Sequence, residues 1–201
     1  MTLYERRATP VMEAERSMYS TERIDLSGVF ALRLQLQNHY AFAVPNEAAI
    51  AALVELSPIV EIGAGRGYWG WEVRRRGGDI ECFDLHPGGA EAVGGRSARI
   101  ESTRTYTTVR KGPGTVAGDY PNRTLMLCWP DDYNQEEGWS DRAVEIYLEA
   151  GGETVVFVGE GRNGCTGSNR LFDLLETLDR VRTVNIPSFD GIGDQMYVYR
   201  R

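Results

Sequence analysis

Residues 59–69 carry the pattern in this chain that is best suited to chemistry. An apolar run that contains Glu61 passes directly into glycines at alternate positions, Gly63, Gly65 and Gly67. Glycine tolerates positive φ and lets a ligand approach the backbone without a Cβ in the way. The N–H groups at the start of the helix that follows have no partners within the helix. The pattern therefore predicts a strand, a tight turn and a helix start that together bind a small molecule, although glycines after a strand can also serve a turn alone.

The glycine spacing argues against a dinucleotide. A dinucleotide fingerprint is Gly-x-Gly-x-x-Gly, with a pyrophosphate at the helix N-terminus. Here Tyr68 and Trp69 would narrow the approach to a pyrophosphate, and the charge of Glu61 would repel one, so a cationic or zwitterionic ligand fits better. Asp84 ends the next predicted strand about twenty residues after the turn, where a carboxylate can accept hydrogen bonds from ribose hydroxyls.

These residues resemble the first motif of the class I S-adenosylmethionine-dependent methyltransferases, which is acid-x-Gly-x-Gly-x-Gly after strand one, with a ribose-binding acid after strand two. The resemblance extends over residues 57–201 as topology, and only residues 61–69 and Asp84 match as motifs. It implies S-adenosyl-L-methionine as cofactor and methyl transfer as activity. It places Gly63 and Gly65 against the methionine moiety, Glu61 near its amino group and Asp84 on the ribose hydroxyls. The complete expected cofactor-binding set is Glu61, Gly63, Ala64, Gly65, Gly67, Tyr68, Trp69, Asp84, Leu85, Cys128 and Trp129.

The end of the fourth predicted strand departs from that family. Many members have Asn/Asp-Pro-Pro-Tyr there to orient a target amine, whereas this chain has Cys128, Trp129, Pro130 and Asp131. A thiol is a weak hydrogen-bond acceptor, so methylation of a nucleobase amine is disfavoured. Trp129 either plugs the top of the sheet or contacts the adenine or the sulfonium through its π-face.

The sequence identifies the acceptor and the catalytic groups less clearly than the cofactor. An amine or hydroxyl acceptor must lose a proton, and the candidate bases are His39, Tyr133 and Glu160. The candidate acceptor-binding residues are Tyr40, Asp131 and Asp132, and the two acids favour a cationic or hydroxyl-bearing acceptor. The linker around His39 and Tyr40 either folds over the site as a lid or simply packs.

Three function classes follow. The first is a methyltransferase acting on an oxygen or nitrogen of a small-molecule metabolite; the alternatives are a methyltransferase for nucleic acid or protein, and a non-catalytic module that binds S-adenosylmethionine. A net charge of −7 disfavours nucleic acid. Cys82, Cys128 and Cys165 show no metal-ligand spacing, so no metal is expected. No signal peptide or membrane-length apolar run occurs in the sequence, so we expect a cytoplasmic protein without membrane contact.

The elements that position these residues follow from periodicity. With 201 residues, 42% hydrophobic and 25% charged, the chain is expected to form one domain. Residues 1–56 would be a helical extension or lid that could also mediate oligomerisation, and residues 57–201 a Rossmann-like core. Alternating strands and helices predict a mainly parallel seven-stranded α/β sheet with helices on both faces and the last strand antiparallel. Strands are predicted at 59–62, 79–84, 105–109, 125–129, 154–159, 181–187 and 196–199. Residues 86–104 could be a short helix or a loop.

Overall fold

The computed structural model describes residues 1–17, 26–88, 104–130, 133 and 135–201. Three helices precede the sheet: α1 (Leu3–Ser17), α2 (Leu26–His39) and α3 (Glu47–Glu55). The predicted helical character of the N-terminal segment is therefore confirmed where the structure describes it. Every predicted strand has a counterpart among the described residues. Most of the segment 86–104, predicted as a short helix or a loop, lies outside the described residues.

The described chain forms one seven-stranded sheet in the order β3-β2-β1-β4-β5-β7-β6. Only β7 runs antiparallel to its neighbours, β5 and β6, so the predicted architecture is confirmed. The strands are β1 (Ile59–Ile62), β2 (Ile80–Asp84), β3 (Val109–Lys111), β4 (Thr124–Cys128), β5 (Thr154–Gly159), β6 (Asp179–Asn185) and β7 (Gln195–Arg200).

Helices cover both faces of the sheet, because consecutive strand residues point to opposite sides. In β1, Ile59 joins the core beneath α3 and α4 (Tyr68–Arg75), whereas Val60 joins the core beneath α5 (Trp139–Glu149) and α6 (Asn169–Glu176). A 3-10 helix, Gly114–Asp119, packs beside α5. The parallel strands are thus buried on both faces and their carboxyl ends form one edge.

Two helices begin with side-chain caps, at Asn46 and Ser168. The side-chain oxygen of Asn46 accepts a hydrogen bond of 2.9 Å from the Ala49 N–H at the start of α3. The hydroxyl of Ser168 accepts one of 3.1 Å from the Leu171 N–H at the start of α6. Each cap pairs a backbone donor that the helix itself leaves unpaired.

The third strand was predicted too early in the chain. Residues 105–109 are rich in β-branched side chains, but β3 begins at Val109, opposite Cys82. Tyr106 instead donates its backbone N–H to the carbonyl of Arg66 at 2.8 Å, and the Thr107 hydroxyl accepts from Arg74 at 2.6 Å. Tyr106 and Thr107 therefore form hydrogen bonds with the glycine turn and α4, and they do not pair with the edge of the sheet.

The N-terminal helices are held against the rest of the fold by aromatic and polar contacts. The Tyr4 ring stacks on Tyr40 with centroids 4.6 Å apart, and the Tyr4 backbone N–H donates to the Tyr68 hydroxyl at 3.0 Å. Buried Glu15 accepts a bond of 2.8 Å from the Asp190 N–H, in the loop between β6 and β7. No helix in the described ranges is long and apolar enough to cross a membrane.

Candidate functional site

The glycine turn lies directly after β1 and begins α4. Gly63, Gly65 and Gly67 have φ of 74°, 53° and 70°, the left-handed region that side chains disfavour. A Cβ at Gly63 would lie 2.5 Å from the indole of Trp139, whereas a Cβ at Gly65 would meet nothing within 4 Å. Gly63 is thus required by packing, and Gly65 leaves an open approach to the backbone.

Asp84 at the end of β2 is tied to this turn. Its Oδ2 accepts a hydrogen bond of 2.7 Å from the Gly65 N–H, and its Oδ1 accepts one of 2.7 Å from the His86 N–H. A carboxylate has about four lone-pair sites, so both oxygens retain capacity for a further hydroxyl donor. The neighbouring Leu85 is 53% exposed and offers an apolar surface beside the carboxylate.

Glu61 is buried inside β1, two residues before Gly63. Its Oε2 accepts a hydrogen bond of 3.4 Å from the Cys82 thiol. The pKa of Glu61 is raised to about 7, because burial and, to a smaller extent, the negative charge of Asp84 outweigh the lowering effects of the Cys82 bond and Arg74. The acid is therefore poised to ionise when a cation comes near it.

A cleft that is open to solvent lies along the turn, and its lining residues border about 630 Å³ of space, part of which is bulk solvent. The structure brings these sequence-predicted residues together in its lining: Tyr40, Glu61, Gly63, Ala64, Gly65, Tyr68, Trp69, Cys128 and Trp129. Asp84 contacts the turn through Gly65, while Gly67 and Leu85 lie outside the lining.

Sequence reasoning missed five cleft residues, Gln37, Asn38, Ala41, Phe42 and Arg66. Two signals were available in the sequence. Arg66 lies between two glycines of the turn, and Phe42 lies in the linker that contains His39 and Tyr40. The cleft therefore contains an acid, Glu61, and a guanidinium, Arg66, which donates to the Asn38 carbonyl at 3.3 Å. Opposite charges in one cleft suit a zwitterion.

The linker after α2 forms one wall of the cleft. Tyr40 is 6% exposed and its ring stacks on Tyr106 at 5.9 Å between centroids, in addition to its stacking on Tyr4. The Trp69 indole donates to the Ala43 carbonyl at 3.3 Å. The linker packs against the fold and borders the site, and its role as a lid stays a prediction.

None of the three predicted bases lines the cleft. His39 is exposed, with its ring 4.6 Å from that of Tyr40, and partial burial followed by the charges of Arg66 and Arg7 lowers its pKa. Tyr133 is 45% exposed. Asp131 and Asp132, the predicted acceptor ligands, lie outside the described residues.

Glu160 is engaged by neighbouring donors. Its Oε2 accepts bonds of 2.8 Å from the Cys165 N–H and the Cys165 thiol, and its Oε1 accepts one of 2.9 Å from the Gly193 N–H. Burial raises its pKa, but these hydrogen bonds outweigh burial and the pKa is lowered. A carboxylate stabilised in this way is a weak base.

Trp129 and Asp194 form a pair that the sequence did not suggest. Trp129 follows β4 with φ of 53°, which is unusual for a bulky residue and ends the strand one residue earlier than predicted. Its indole donates to Asp194 Oδ1 at 2.8 Å. Burial raises the pKa of Asp194 to about 7, although the bond from Trp129 opposes the shift. No local pattern marks Asp194, because its partner lies far away in sequence.

No protein-family model and no curated protein sequence matches the chain. Among solved structures, the magnesium protoporphyrin IX methyltransferase ChlM from Synechocystis PCC 6803 with bound SAM matches with a TM-score of 0.51 and 11% identity, covering 98% of this chain and 93% of that chain. Its form with bound SAH gives 0.50 and 10% identity, covering 98% and 96%. The N-methyltransferase NodS from Bradyrhizobium japonicum WM9 gives 0.45 and 16% identity, covering 77% and 94%. The ChlM structures show that this chain has the class I methyltransferase fold.

Proposed function

We propose that this chain, whose fold is that of the class I methyltransferases, uses S-adenosyl-L-methionine to methylate an oxygen or nitrogen of a small-molecule acceptor. The observation that carries the proposal is the bond from the Gly65 N–H to Asp84, beside a glycine without obstruction. It joins the two parts of the sequence that match the family's motifs. The presence of SAM and SAH in the ChlM structures, which share the fold, supports this choice of cofactor.

The cleft residues fit the parts of this cofactor. Its methionine moiety carries an ammonium and a carboxylate, which match Glu61 and Arg66 in the cleft lining. The spare lone pairs of Asp84 suit the two ribose hydroxyls. Exposed Leu85, next in the chain, offers apolar surface for the adenine. Each moiety of the ligand thus has a chemically suited group on this chain.

The cofactor supplies an electrophilic methyl group on a sulfonium. An acceptor lone pair forms the new bond to the methyl carbon while the carbon–sulfur bond breaks, and its electron pair remains on the departing thioether. The contribution of the chain would be to hold the acceptor in line with that bond, which can supply most of the catalysis. An acceptor proton would leave to solvent or to a base, for which His39, Tyr133 and Glu160 stay predictions.

A small acceptor fits the surroundings better than a polynucleotide. The cleft lining includes Phe42, Cys128 and Trp129, whose side chains offer aromatic surface and only weak hydrogen-bond acceptors. A net charge of −7 also opposes phosphate backbones. We therefore favour a metabolite over nucleic acid or protein.

Calorimetry with S-adenosylmethionine and S-adenosylhomocysteine tests the cofactor. We expect micromolar binding of both, no binding of NAD⁺, and a loss of about tenfold or more in Asp84→Ala, because charge-assisted hydrogen bonds contribute roughly 1.5–3 kcal/mol. Asp79→Ala is the matched control, since Asp79 precedes the other end of β2 and its side chain is 60% exposed. Absence of binding to the folded wild-type protein would refute the proposal.

A further inference from the structure

Two aromatic side chains in the cleft lining stack on each other. The rings of Phe42 and Trp129 lie with centroids 5.1 Å apart and planes 12° from parallel. Phe42 comes from the linker after α2, and Trp129 follows β4, so the pair joins the N-terminal extension to the sheet. Both residues line the cleft that contains the glycine turn.

The backbone of Trp129 is strained, and the strain is held by specific contacts. Positive φ is unfavourable in a non-glycine residue and persists only where the surroundings enforce it. The Trp129 N–H donates to the Val158 carbonyl at 2.8 Å, and the indole N–H donates to Asp194 at 2.8 Å. Asp194 is 4% exposed, so this anchor is shielded from water. These two hydrogen bonds therefore fix the orientation of the indole.

The stack leaves much of Phe42 exposed. Trp129 lies against one face of the Phe42 ring, yet Phe42 remains 46% exposed. A fully buried aromatic pair would contribute stability alone, whereas an exposed ring in a cleft lining offers apolar contact to a ligand. A further ring placed parallel to Phe42 would continue the stack and remove this surface from water.

We propose that Phe42 and Trp129 form the acceptor subsite, that it takes a planar aromatic ring, and that Asp194 is the positioning residue that fixes Trp129. Calling the occupant a methyl acceptor rests on the proposed function. The geometry favours a ring over a saturated apolar group, because parallel rings gain roughly 0.5–1.5 kcal/mol beyond the area they bury.

The test compares 1-naphthol with decahydro-1-naphthol, its saturated counterpart, by NMR titration of the protein saturated with S-adenosylhomocysteine. We expect 1-naphthol to bind more tightly than the saturated compound. Phe42→Leu should weaken the binding of 1-naphthol by about two- to tenfold and leave the affinity for S-adenosylhomocysteine unchanged. Phe30→Leu is the matched control, because Phe30 is 50% exposed on α2 and does not line the cleft.

The outcomes separate the two proposals. Wild-type protein that binds S-adenosylhomocysteine but shows no preference for 1-naphthol overturns the aromatic subsite alone. An equal loss of 1-naphthol affinity in Phe30→Leu and Phe42→Leu also overturns the aromatic subsite, because it shows that the compound binds exposed apolar surface in general. Failure to bind S-adenosylhomocysteine refutes the proposed function, and 1-naphthol titrated without that ligand still tests the subsite.

The role of Asp194 is tested by conservative rescue. Asp194→Ala should weaken the binding of 1-naphthol and shift the indole N–H proton resonance of Trp129. That resonance is assigned by its absence from the spectrum of Trp129→Phe. Asp194→Asn retains an oxygen acceptor and should restore both quantities. Asp194→Ala protein with unchanged 1-naphthol affinity, or Asp194→Asn protein that restores the resonance but not the affinity, would overturn the positioning role.

Discussion

The backbone N–H of Gly65 donates to Asp84 Oδ2 at 2.7 Å, which joins the turn after β1 to the end of β2. One carboxylate thus fixes the conformation of the turn and retains lone pairs for a ligand. The two residues lie on neighbouring parallel strands, whose carboxyl ends meet at the same edge of the sheet. Perturbing either residue should therefore affect binding before it affects the fold.

Substitution of two glycines by alanine should separate binding from stability. Both have positive φ, so each substitution carries a strain of roughly 1–2 kcal/mol. Gly63→Ala also meets the Trp139 indole at 2.5 Å, whereas Gly65→Ala meets open space. We expect Gly63→Ala to have the lower melting temperature. Gly65→Ala should remain folded and lose S-adenosylhomocysteine binding, measured by calorimetry; tight binding by that variant would contradict a ligand at Gly65.

The contribution of Glu61 and Asp194 to stability should fall as pH rises from about 4 towards 7. The pKa values of Glu61 and Asp194 are raised by burial to about 7 from 4.5 and 3.8, so the folded protein binds more protons than the unfolded chain in this window. The contribution is therefore most favourable at low pH and is lost as pH rises through 7. Urea unfolding at several pH values gives the free energy of unfolding as a function of pH. Between pH 4 and 7 its slope should be less negative in Glu61→Gln, and less negative still in Glu61→Gln/Asp194→Asn. A slope unaffected by both changes would contradict these assignments.

Binding of S-adenosylmethionine should release a proton from Glu61. The ammonium of the ligand favours the ionised carboxylate, whose pKa in the free protein is raised to about 7 by burial. At pH 6, calorimetry in buffers of different ionisation enthalpy should report release of nearly one proton. Glu61→Gln should abolish the release and Asp194→Asn should retain it. Release that persists in Glu61→Gln would assign the proton to another group.

Glu15 should hold the N-terminal extension in place. Its carboxylate is fully buried, accepts from the Asp190 N–H at 2.8 Å and lies 3.5 Å from Arg33 of α2. Glu15→Ala removes the acceptor of the Asp190 N–H and the ion pair with Arg33, at a cost of roughly 1–3 kcal/mol. We expect faster amide hydrogen exchange in α1 without faster exchange in β4. Exposed Glu13 is the matched control, and comparable acceleration in Glu13→Ala would exclude a specific role for Glu15.

Local patterns in the sequence were sufficient to predict much of this fold. Alternating glycines after an apolar run predicted the turn at Gly63 and Gly65. Continuous apolar runs predicted the central strands β1, β4 and β5, which are buried on both faces. Such features are encoded within a few neighbouring residues, so they can be identified without tertiary contacts.

Tertiary structure decided the features that depend on residues distant in sequence. β3 starts at Val109 because Tyr106 and Thr107 bond to the turn and to α4, a competition that β-propensity cannot represent. The inclusion of Phe42 in the cleft and the pairing of Trp129 with Asp194 arise from contacts between separate elements. The sequence thus determined the glycine turn and the order of elements, because both follow from local spacing. Folding determined the opposite wall of the cleft, because burial and hydrogen bonding between distant residues exist only once the sheet has formed.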